Sequence, residues 1–233
     1  MGSTVEFKRP DGQTLQGYLA EPAHTAAAAS APGVVVIQEW WGLNAQIEGV
    51  AERYAAAGYV ALVPDLYRGK STLEAAEAEH LMTQLDFGDA ASQDVRGAVQ
   101  YLKARGTKVG INGYCMGGAL TLLAAVHVPE ADAAVAHYGY PPLQYIDASK
   151  IRAPLLGHWA TDDAFFAIGG VDKLETKLRE AGVSFEFHRY QAKHAFANET
   201  QLPPHCPPSN EYNPGAAALA WQRTLDFFAR QLR

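Results

Sequence analysis

Apolar positions along the chain fall into short continuous runs separated by longer amphipathic stretches. The run GVVVIQEWWG at 33–42 and the run YVALVPDLY at 59–67 are rich in β-branched residues, which is typical of strands buried on both faces of a parallel sheet. The amphipathic stretch between them, Asn44 to Ala57, ends at Gly58, a residue suited to closing a helix. This part of the chain therefore predicts a strand, a helix and a second strand.

The alternation continues to the end of the chain. TVEFKRP and TLQGYLAEP, joined by Asp11-Gly12, predict an antiparallel hairpin at the start, and HTAAAASAP after it reads as a surface linker. Further strands are predicted at TKVGINGY, AAVAHYG, APLLGHWA and SFEFHRY, and helices at Leu73–Leu85, Ala90–Ala104, the ALTLLAAVH segment after Cys115, Val171–Ala181 and Ala216–Leu232. Strands that alternate with helices form parallel βαβ units, so we predict one α/β domain over residues 1–233, with a mostly parallel sheet and helices on both faces.

Composition narrows the classes of partner. The 233 residues are 48% hydrophobic and carry a net charge of −6, with no cluster of basic residues that would bind nucleic acid. The first residues, MGSTVEFKRPDGQ, lack the apolar core of a signal peptide, and the alanine run is too short to cross a bilayer. Two cysteines do not make a disulfide framework. We expect a cytoplasmic monomer that binds neither nucleic acid nor membrane.

Four residues able to do chemistry follow four different predicted strands. They are Glu39, Cys115, Asp163 and His194. The carboxyl ends of parallel strands meet at one edge of a sheet, and that edge is where such folds bind ligands. We therefore expect these side chains to converge on a single site.

The stretch GYCMGG predicts a nucleophile on a strand-to-helix turn. Cys115 stands between glycines, as a crowded, strained turn requires, and the following helix N-terminus favours the thiolate. The N–H of Met116 would form half of an oxyanion hole, and the N–H of Trp40 the other half. A lone cysteine is more often a buried structural residue, but the glycine frame favours catalysis here.

The remaining triad members follow in the chain order nucleophile, acid, histidine. His194 would accept a proton from the thiol or from water, and an aspartate would hold its ring in the productive tautomer. Spacing alone leaves Asp162 and Asp163 as alternatives, and either could instead cap the next segment. Glu39, beside two tryptophans in QEWWG, would alter the ionisation of a neighbouring thiol and imidazole.

Other motifs suggest no cofactor. The remaining histidines do not have metal-ligand spacing, and neither a P-loop nor a dinucleotide fingerprint occurs. We therefore expect no metal and no cofactor. Cys206, in PPHCPPS, reads as an unpaired cysteine.

The segments QEWWGLN, ALVPDLYRG, GYCMGG and KHAFAN, in this order, resemble the dienelactone hydrolase family of the α/β-hydrolase fold. The resemblance covers Phe7 to Phe228 and implies a Cys115–His194–Asp163 triad. It favours Asp163 because the family's aspartate stands two residues before a segment similar to Phe165-Phe166-Ala167. It also implies a glutamate at position 39 that helps to generate the thiolate, and an oxyanion hole formed by the amides of Trp40 and Met116.

The chain departs from that family where substrate is held. Members that act on dienelactone have an arginine after His-Ala-Phe-Ala, where this chain has Asn198, and a second arginine expected before Phe87 is also missing. The cations that could take over are Arg68, Lys70 and Lys193. By position, the residues expected to contact substrate are Trp40, Trp41, Tyr67, Phe87, Tyr138, Phe196 and Asn198.

The sequence thus predicts a hydrolase of small-molecule lactones or esters. A thiolate is expelled from an ordinary ester's tetrahedral intermediate more readily than an alkoxide, so enol lactones and activated esters should be preferred. A general carboxylesterase of the same fold is one alternative. A protein that binds a ligand without turnover, or that responds to oxidation through its thiol, is the other.

Overall fold

The computed structural model describes residues 2–23, 30–203 and 206–233, so most of the predicted linker at 24–32 lies outside the described residues. Eight strands form one sheet in the order β1-β2-β4-β3-β5-β6-β7-β8. The strands are β1 Ser3–Lys8, β2 Thr14–Ala20, β3 Gly33–Ile37, β4 Val60–Pro64, β5 Val109–Tyr114, β6 Ala133–His137, β7 Leu155–Asp162 and β8 Phe185–Lys193. The helices are α1 Ala45–Ala56, α2 Ala75–Gln84, α3 Phe87–Asp89, α4 Arg96–Lys103, α5 Met116–His127, α6 Ile168–Glu180 and α7 Pro214–Leu232.

The predicted hairpin and parallel sheet are both confirmed. Strands β1 and β2 pair antiparallel from Ser3 opposite Leu19 to Lys8 opposite Thr14. Strand β2 then pairs antiparallel with β4, and the remaining six strands are parallel to one another. The six parallel strands, from β4 to β8 in the order of the sheet, therefore have their carboxyl ends at one edge.

Local sequence signals explain where the first helix begins and ends. The side chain of Asn44 accepts hydrogen bonds from the N–H groups of Gln46 and Ile47, which satisfies donors that the first helical turn cannot use itself. Gly58 follows the helix with a φ of 88°, a left-handed conformation that glycine adopts without steric cost. Both ends of the predicted helix are thus confirmed to within a residue.

Other helix boundaries differ from the predictions. The helix expected over Ala90–Ala104 begins earlier, at Phe87, and residues Ala90–Val95 form a π-helical segment within it. Asp86 caps its start by accepting the N–H of Asp89. The apolar pattern missed the first turn because Gly88 and its neighbour Asp89 do not contribute to a buried face.

The last two helices also start before their predicted first residues. Helix α6 begins at Ile168 rather than Val171. Helix α7 begins at Pro214 rather than Ala216, with the Asn213 side chain accepting the N–H of Ala216. Proline suits the first helical turn because the N–H that it lacks would have no partner there.

The core lies on both faces of the sheet. Helices α4, α5 and α6 cover one face, where Val35, Leu102 and Leu120 are among the buried residues. Helices α1 and α7 cover the other, where Val36 and Phe228 are buried. The β3 side chains divide between the two faces by their alternation, and this arrangement confirms the predicted layering. Among the described residues, no helix has both the length and the apolar character needed to cross a bilayer.

Candidate active site

Cys115 occupies a sharp turn between β5 and α5. Its φ is 55° and its ψ is −117°, a backbone conformation that a residue with a side chain rarely adopts. The turn is possible because its neighbours are glycines: a Cβ on Gly113 would lie 2.0 Å from the carbonyl oxygen of Gly117. A Cβ on Gly117 would lie 2.4 Å from the carbonyl oxygen of Ile37 in β3. The glycine frame therefore lets the turn pack directly onto the neighbouring strand.

Two further close approaches hold the same turn. A Cβ on Gly139, just after β6, would lie 1.8 Å from the carbonyl oxygen of Cys115. A Cβ on Gly118 would lie 2.6 Å from the carbonyl oxygen of His137, which also accepts the Cys115 N–H at 3.0 Å. Gly139 is not among the residues predicted from the sequence. Its position directly after a buried strand, in HYGY, was the one available signal.

The structure brings Cys115, His194 and Asp163 into one chain of contacts. His194 Nε2 lies 3.0 Å from Cys115 Sγ, and His194 Nδ1 lies 2.7 Å from Asp163 Oδ2. Both the histidine and the aspartate are buried. Cys115 follows β5, Asp163 follows β7 and His194 follows β8, so the shared sheet edge produces the contact although the residues are far apart in sequence.

Asp163, and not Asp162, contacts the histidine. Its other oxygen, Oδ1, accepts the N–H groups of Phe165 at 2.8 Å and Phe166 at 2.9 Å, which fixes the carboxylate plane. Asp162 is exposed, and its Oδ2 accepts a hydrogen bond from Gln191 at 2.8 Å. The two candidates therefore have different surroundings, and only Asp163 can orient the imidazole.

Charges on either side of His194 stabilise its protonated form. Burial acts to lower the pKa of His194, but the Cys115 sulfur and the Asp163 carboxylate outweigh it and raise that pKa to about 10. The rings of Phe165 and Phe166, whose centroids lie 5.0 Å and 5.6 Å from the imidazole centroid, limit its contact with water. The surroundings of His194 therefore favour the imidazolium, with its Nδ1 against the Asp163 carboxylate.

Glu39 is buried beside the triad and both of its oxygens are hydrogen-bonded. Tyr138 donates its hydroxyl to Oε1 at 3.2 Å, and Asn198 donates its amide to Oε2 at 2.7 Å. Burial raises the pKa of Glu39, while the Asn198 hydrogen bond and the charge of His194 act to lower it. Asn198 stands at the position where the resemblance implies an arginine. It is 2% exposed, and its amide is hydrogen-bonded to the Glu39 carboxylate.

The residues expected to form the oxyanion hole, Trp40 and Met116, come after the neighbouring strands β3 and β5. Met116 is the first residue of α5, and the first N–H groups of a helix have no partner within the helix. The Met116 sulfur accepts the Tyr67 hydroxyl at 3.2 Å, which ties the start of α5 to the loop after β4. Trp40 follows β3, is half-buried, and packs edge-on against Trp41 with centroids 5.0 Å apart.

A cavity of about 1020 Å³ opens from Cys115. Its wall includes Trp40, Met82, Phe87, Leu123, Phe165 and Phe166. Five residues expected to contact substrate are not part of this wall: Trp41, Tyr67, Tyr138, Phe196 and Asn198. All five are buried. Tyr67 bonds to Met116, and Tyr138 and Asn198 bond to Glu39. Phe196 packs against Tyr138 and Trp41 against Trp40, so other side chains form the wall.

The cations considered as replacements for the arginine do not line the cavity. Arg68 pairs with Asp94 at 3.0 Å, and Lys193 pairs with Glu211 at 2.8 Å. Lys70 is also absent from the wall, whereas Lys150, not considered from the sequence, is part of it. Over residues 2–23, 30–203 and 206–233, no group of three or more His, Cys, Asp or Glu side chains is arranged to hold a metal ion.

Comparison with known proteins agrees with the family resemblance seen in the sequence. The family model described as "Dienelactone hydrolase family" matches residues 15–232. The chain is 35% identical to "Protein usf" of Aquifex pyrophilus and 32% identical to the "Putative carboxymethylenebutenolidase" of Aquifex aeolicus, covering all of each sequence. The crystal structure of a "Putative Dienelactone Hydrolase" from Klebsiella pneumoniae superposes with a TM-score of 0.83 at 27% identity, over 99% of both chains.

Proposed function

The chain belongs to the dienelactone hydrolase family and is a hydrolase, and we propose that it cleaves enol lactones and activated esters through an acyl-Cys115 intermediate. The single observation that carries this proposal is the position of His194. Its ring nitrogens lie 3.0 Å from the Cys115 sulfur and 2.7 Å from the Asp163 carboxylate, at the base of an apolar cavity. A base held between a nucleophile and an orienting acid is the arrangement used for covalent acyl transfer.

Acylation would begin with attack of the Cys115 thiolate on the substrate carbonyl carbon. The proton of the thiol has by then moved to His194 Nε2, and Asp163 stabilises the resulting imidazolium. The negative charge that develops on the carbonyl oxygen is accepted by the N–H groups of Met116 and Trp40. Collapse breaks the bond to the leaving oxygen, which takes the proton from His194, and the acyl group remains as a thioester.

Deacylation would use the same groups in reverse. His194 removes a proton from water, whose oxygen attacks the thioester carbonyl carbon, and the same backbone N–H groups receive the oxyanion. The carbon–sulfur bond then breaks, the acid leaves, and the thiolate–imidazolium pair is restored. An enol or aryl leaving group favours the first half because it departs more readily than the thiolate.

Glu39 would stabilise the imidazolium. Attraction between the two groups supports this role, since the charge of His194 acts to lower the pKa of Glu39 against the larger effect of burial. The hydrogen bonds from Tyr138 and Asn198 hold the carboxylate in place. Glu39 would thus favour the thiolate form of Cys115 through His194.

Hydrolysis of dienelactone and of p-nitrophenyl acetate, followed by absorbance, tests the proposal. Cys115→Ala should reduce kcat/KM by about 10³-fold or more, because removal of a nucleophile eliminates the covalent route. Cys206→Ala is the matched control: this second cysteine donates to the Asn210 carbonyl at 3.4 Å and should be dispensable. Mass spectrometry of the quenched enzyme should find the acyl group on the peptide that contains Cys115.

The outcomes separate this function from its alternatives. Turnover of both substrates that survives Cys115→Ala would contradict the mechanism. Alkyl-ester activity that is kept or gained in Cys115→Ser would indicate a general carboxylesterase. Ligand binding without any turnover that depends on His194 would indicate a binding or redox-responsive protein.

A further inference from the structure

The cavity extends from the nucleophile along one face of α5. Its wall includes Met116, Ala119, Leu123 and Val126, which are three or four residues apart and so share one side of the helix. Between the first and the last of them the helix rises by ~15 Å, about three turns. The space available to a substrate is therefore elongated and follows the helix away from Cys115.

The rest of the channel wall is also largely apolar. It includes Met82 of α2, Phe87 of α3, and Tyr140, Pro142 and Tyr145 from the segment after β6. The volume of about 1020 Å³ lies at the upper end of the ~300–1,000 Å³ that is usual for small-molecule sites. A lactone as small as dienelactone would leave most of this space to water.

The charged groups around the channel do not favour a substrate carboxylate. Glu79, Asp86 and Asp147 contribute carboxylates to its wall, and among the described residues no arginine does. The lysine that the described residues contribute to this wall is Lys150, whose Nζ already lies 3.5 Å from Asp147 Oδ2. A carboxylate in an apolar channel loses its hydration and needs a charged partner in return.

We propose that this channel binds the apolar acyl part of an uncharged ester or lactone, extended along α5 from Cys115 towards Val126. The inference rests on the proposed function, because it places the acyl group of the acyl-Cys115 intermediate. The acyl part is the one assigned to the channel since it stays attached through both half-reactions, whereas the leaving group must depart between them. Burial of apolar carbon against these walls supplies the specificity.

Two comparisons on the wild-type enzyme test chain length and charge. kcat/KM should rise more than about tenfold from p-nitrophenyl acetate to p-nitrophenyl hexanoate, since each buried methylene contributes about fourfold. The mono-p-nitrophenyl ester of adipic acid has the hexanoate chain ending in a carboxylate, and its kcat/KM should be at least about tenfold lower than that of hexanoate. A flat series, or an adipate ester as good as hexanoate, would overturn the proposal.

A variant within the channel provides a second test. Leu123→Trp should narrow the channel about two thirds of the way along α5, so the ratio of decanoate to acetate turnover should fall by about tenfold. Leu219→Trp, on the exposed side of α7, is the matched control and should keep the wild-type ratio. The unfolding midpoint of each variant establishes that it is folded, and an unchanged ratio in folded Leu123→Trp would count against the channel.

These results are distinguishable from failure of the proposed function. If turnover of every ester survives Cys115→Ala, the acyl-cysteine mechanism fails and the inference fails with it. If turnover requires Cys115 but kcat/KM does not change with acyl chain length or terminal charge, only the assignment of the channel to an apolar acyl group is overturned.

Discussion

His137→Phe should make the protein less sensitive to acid. His137 is 2% exposed in β6, where its ring stacks on Tyr114 at 4.4 Å and lies 4.5 Å from the ring of His158. Burial, with a smaller effect of the positive charge of Arg53, lowers its pKa from 6.5 to about 3. Phenylalanine keeps the aromatic packing and removes the titration.

The lowered pKa of His137 means that the folded protein loses stability as the pH falls. Because the folded pKa of His137 is lower than the unfolded one, the unfolded chain binds a proton that the folded chain refuses between about pH 6.5 and about pH 3. The contribution to stability is complete above pH 6.5 and is lost as the pH falls. At about 1.4 kcal/mol per pKa unit the full loss is about 5 kcal/mol, of which about 2 kcal/mol has gone by about pH 5.

Urea unfolding at about pH 8 and about pH 5 measures the effect. The free energy of unfolding of the wild type should fall between these values by about 2 kcal/mol more than that of His137→Phe. His158 is buried beside it, and its pKa is lowered mainly by burial and to a smaller extent by the charge of His137, so most of its contribution is common to both proteins. His127→Gln, an exposed site at the end of α5, should behave as the wild type does.

Equal pH dependence in the wild type and His137→Phe would refute this reasoning. It would mean that the histidine is protonated, or reached by water, in the folded protein. The result also bears on activity, because the His137 carbonyl accepts the Cys115 N–H. Acid that disrupts β6 should therefore displace the nucleophile as the fold is lost.

Three further substitutions have defined outcomes. Gly139→Ala places a Cβ 1.8 Å from the Cys115 carbonyl oxygen, so kcat/KM for p-nitrophenyl acetate should fall by about 100-fold as the nucleophile moves. Asp94→Asn removes a buried charge that pairs with two arginines, and urea unfolding should find a loss of about 3–5 kcal/mol. Asn198→Asp replaces the donor to Glu39 by a second carboxylate, which should raise the pKa of Glu39 further and displace the acidic limb of the pH profile of kcat/KM upwards.

Matched positions serve as controls for the first two variants. Gly49→Ala, in α1 with no heavy atom within 4 Å of the new Cβ, should leave turnover unchanged and stabilise the helix by about 0.5–1 kcal/mol. Asp89→Asn removes a half-exposed partner of Arg9 and should cost no more than about 1 kcal/mol. Wild-type rates in Gly139→Ala, a small effect of Asp94→Asn, or an unchanged profile in Asn198→Asp would each contradict the corresponding contact.

The sequence predicted the convergence of the site because that convergence depends on topology. Alternating strands and helices require a parallel sheet, and the residues after its strands must then meet at one edge. Cys115 and His194, 79 positions apart, lie 3.0 Å apart for this reason. The glycines around Cys115 likewise predicted the sharp turn, since a turn packed against a neighbouring strand leaves no room for a Cβ.

Spacing alone left Asp162 and Asp163 open, and the family resemblance favoured Asp163, whose carboxylate lies 2.7 Å from His194 in the structure. Adjacent residues at a strand end point in opposite directions, so the Asp163 carboxylate contacts the histidine and the Asp162 carboxylate accepts a hydrogen bond from Gln191. Which one turns inwards depends on the irregular pairing of β7 with β8 between Ala160 and Asp162, and no local pattern encodes that irregularity.

The chain by itself determined the layered fold, the strained turn at Cys115 and the edge at which the chemistry collects, because periodicity and glycine requirements are local properties. Tertiary structure alone decided that Asn198 donates a hydrogen bond to Glu39, that Gly139 packs against the Cys115 carbonyl, and that the cavity runs along α5. These are contacts between segments that are distant in sequence, and their geometry depends on how the helices and loops pack around the sheet.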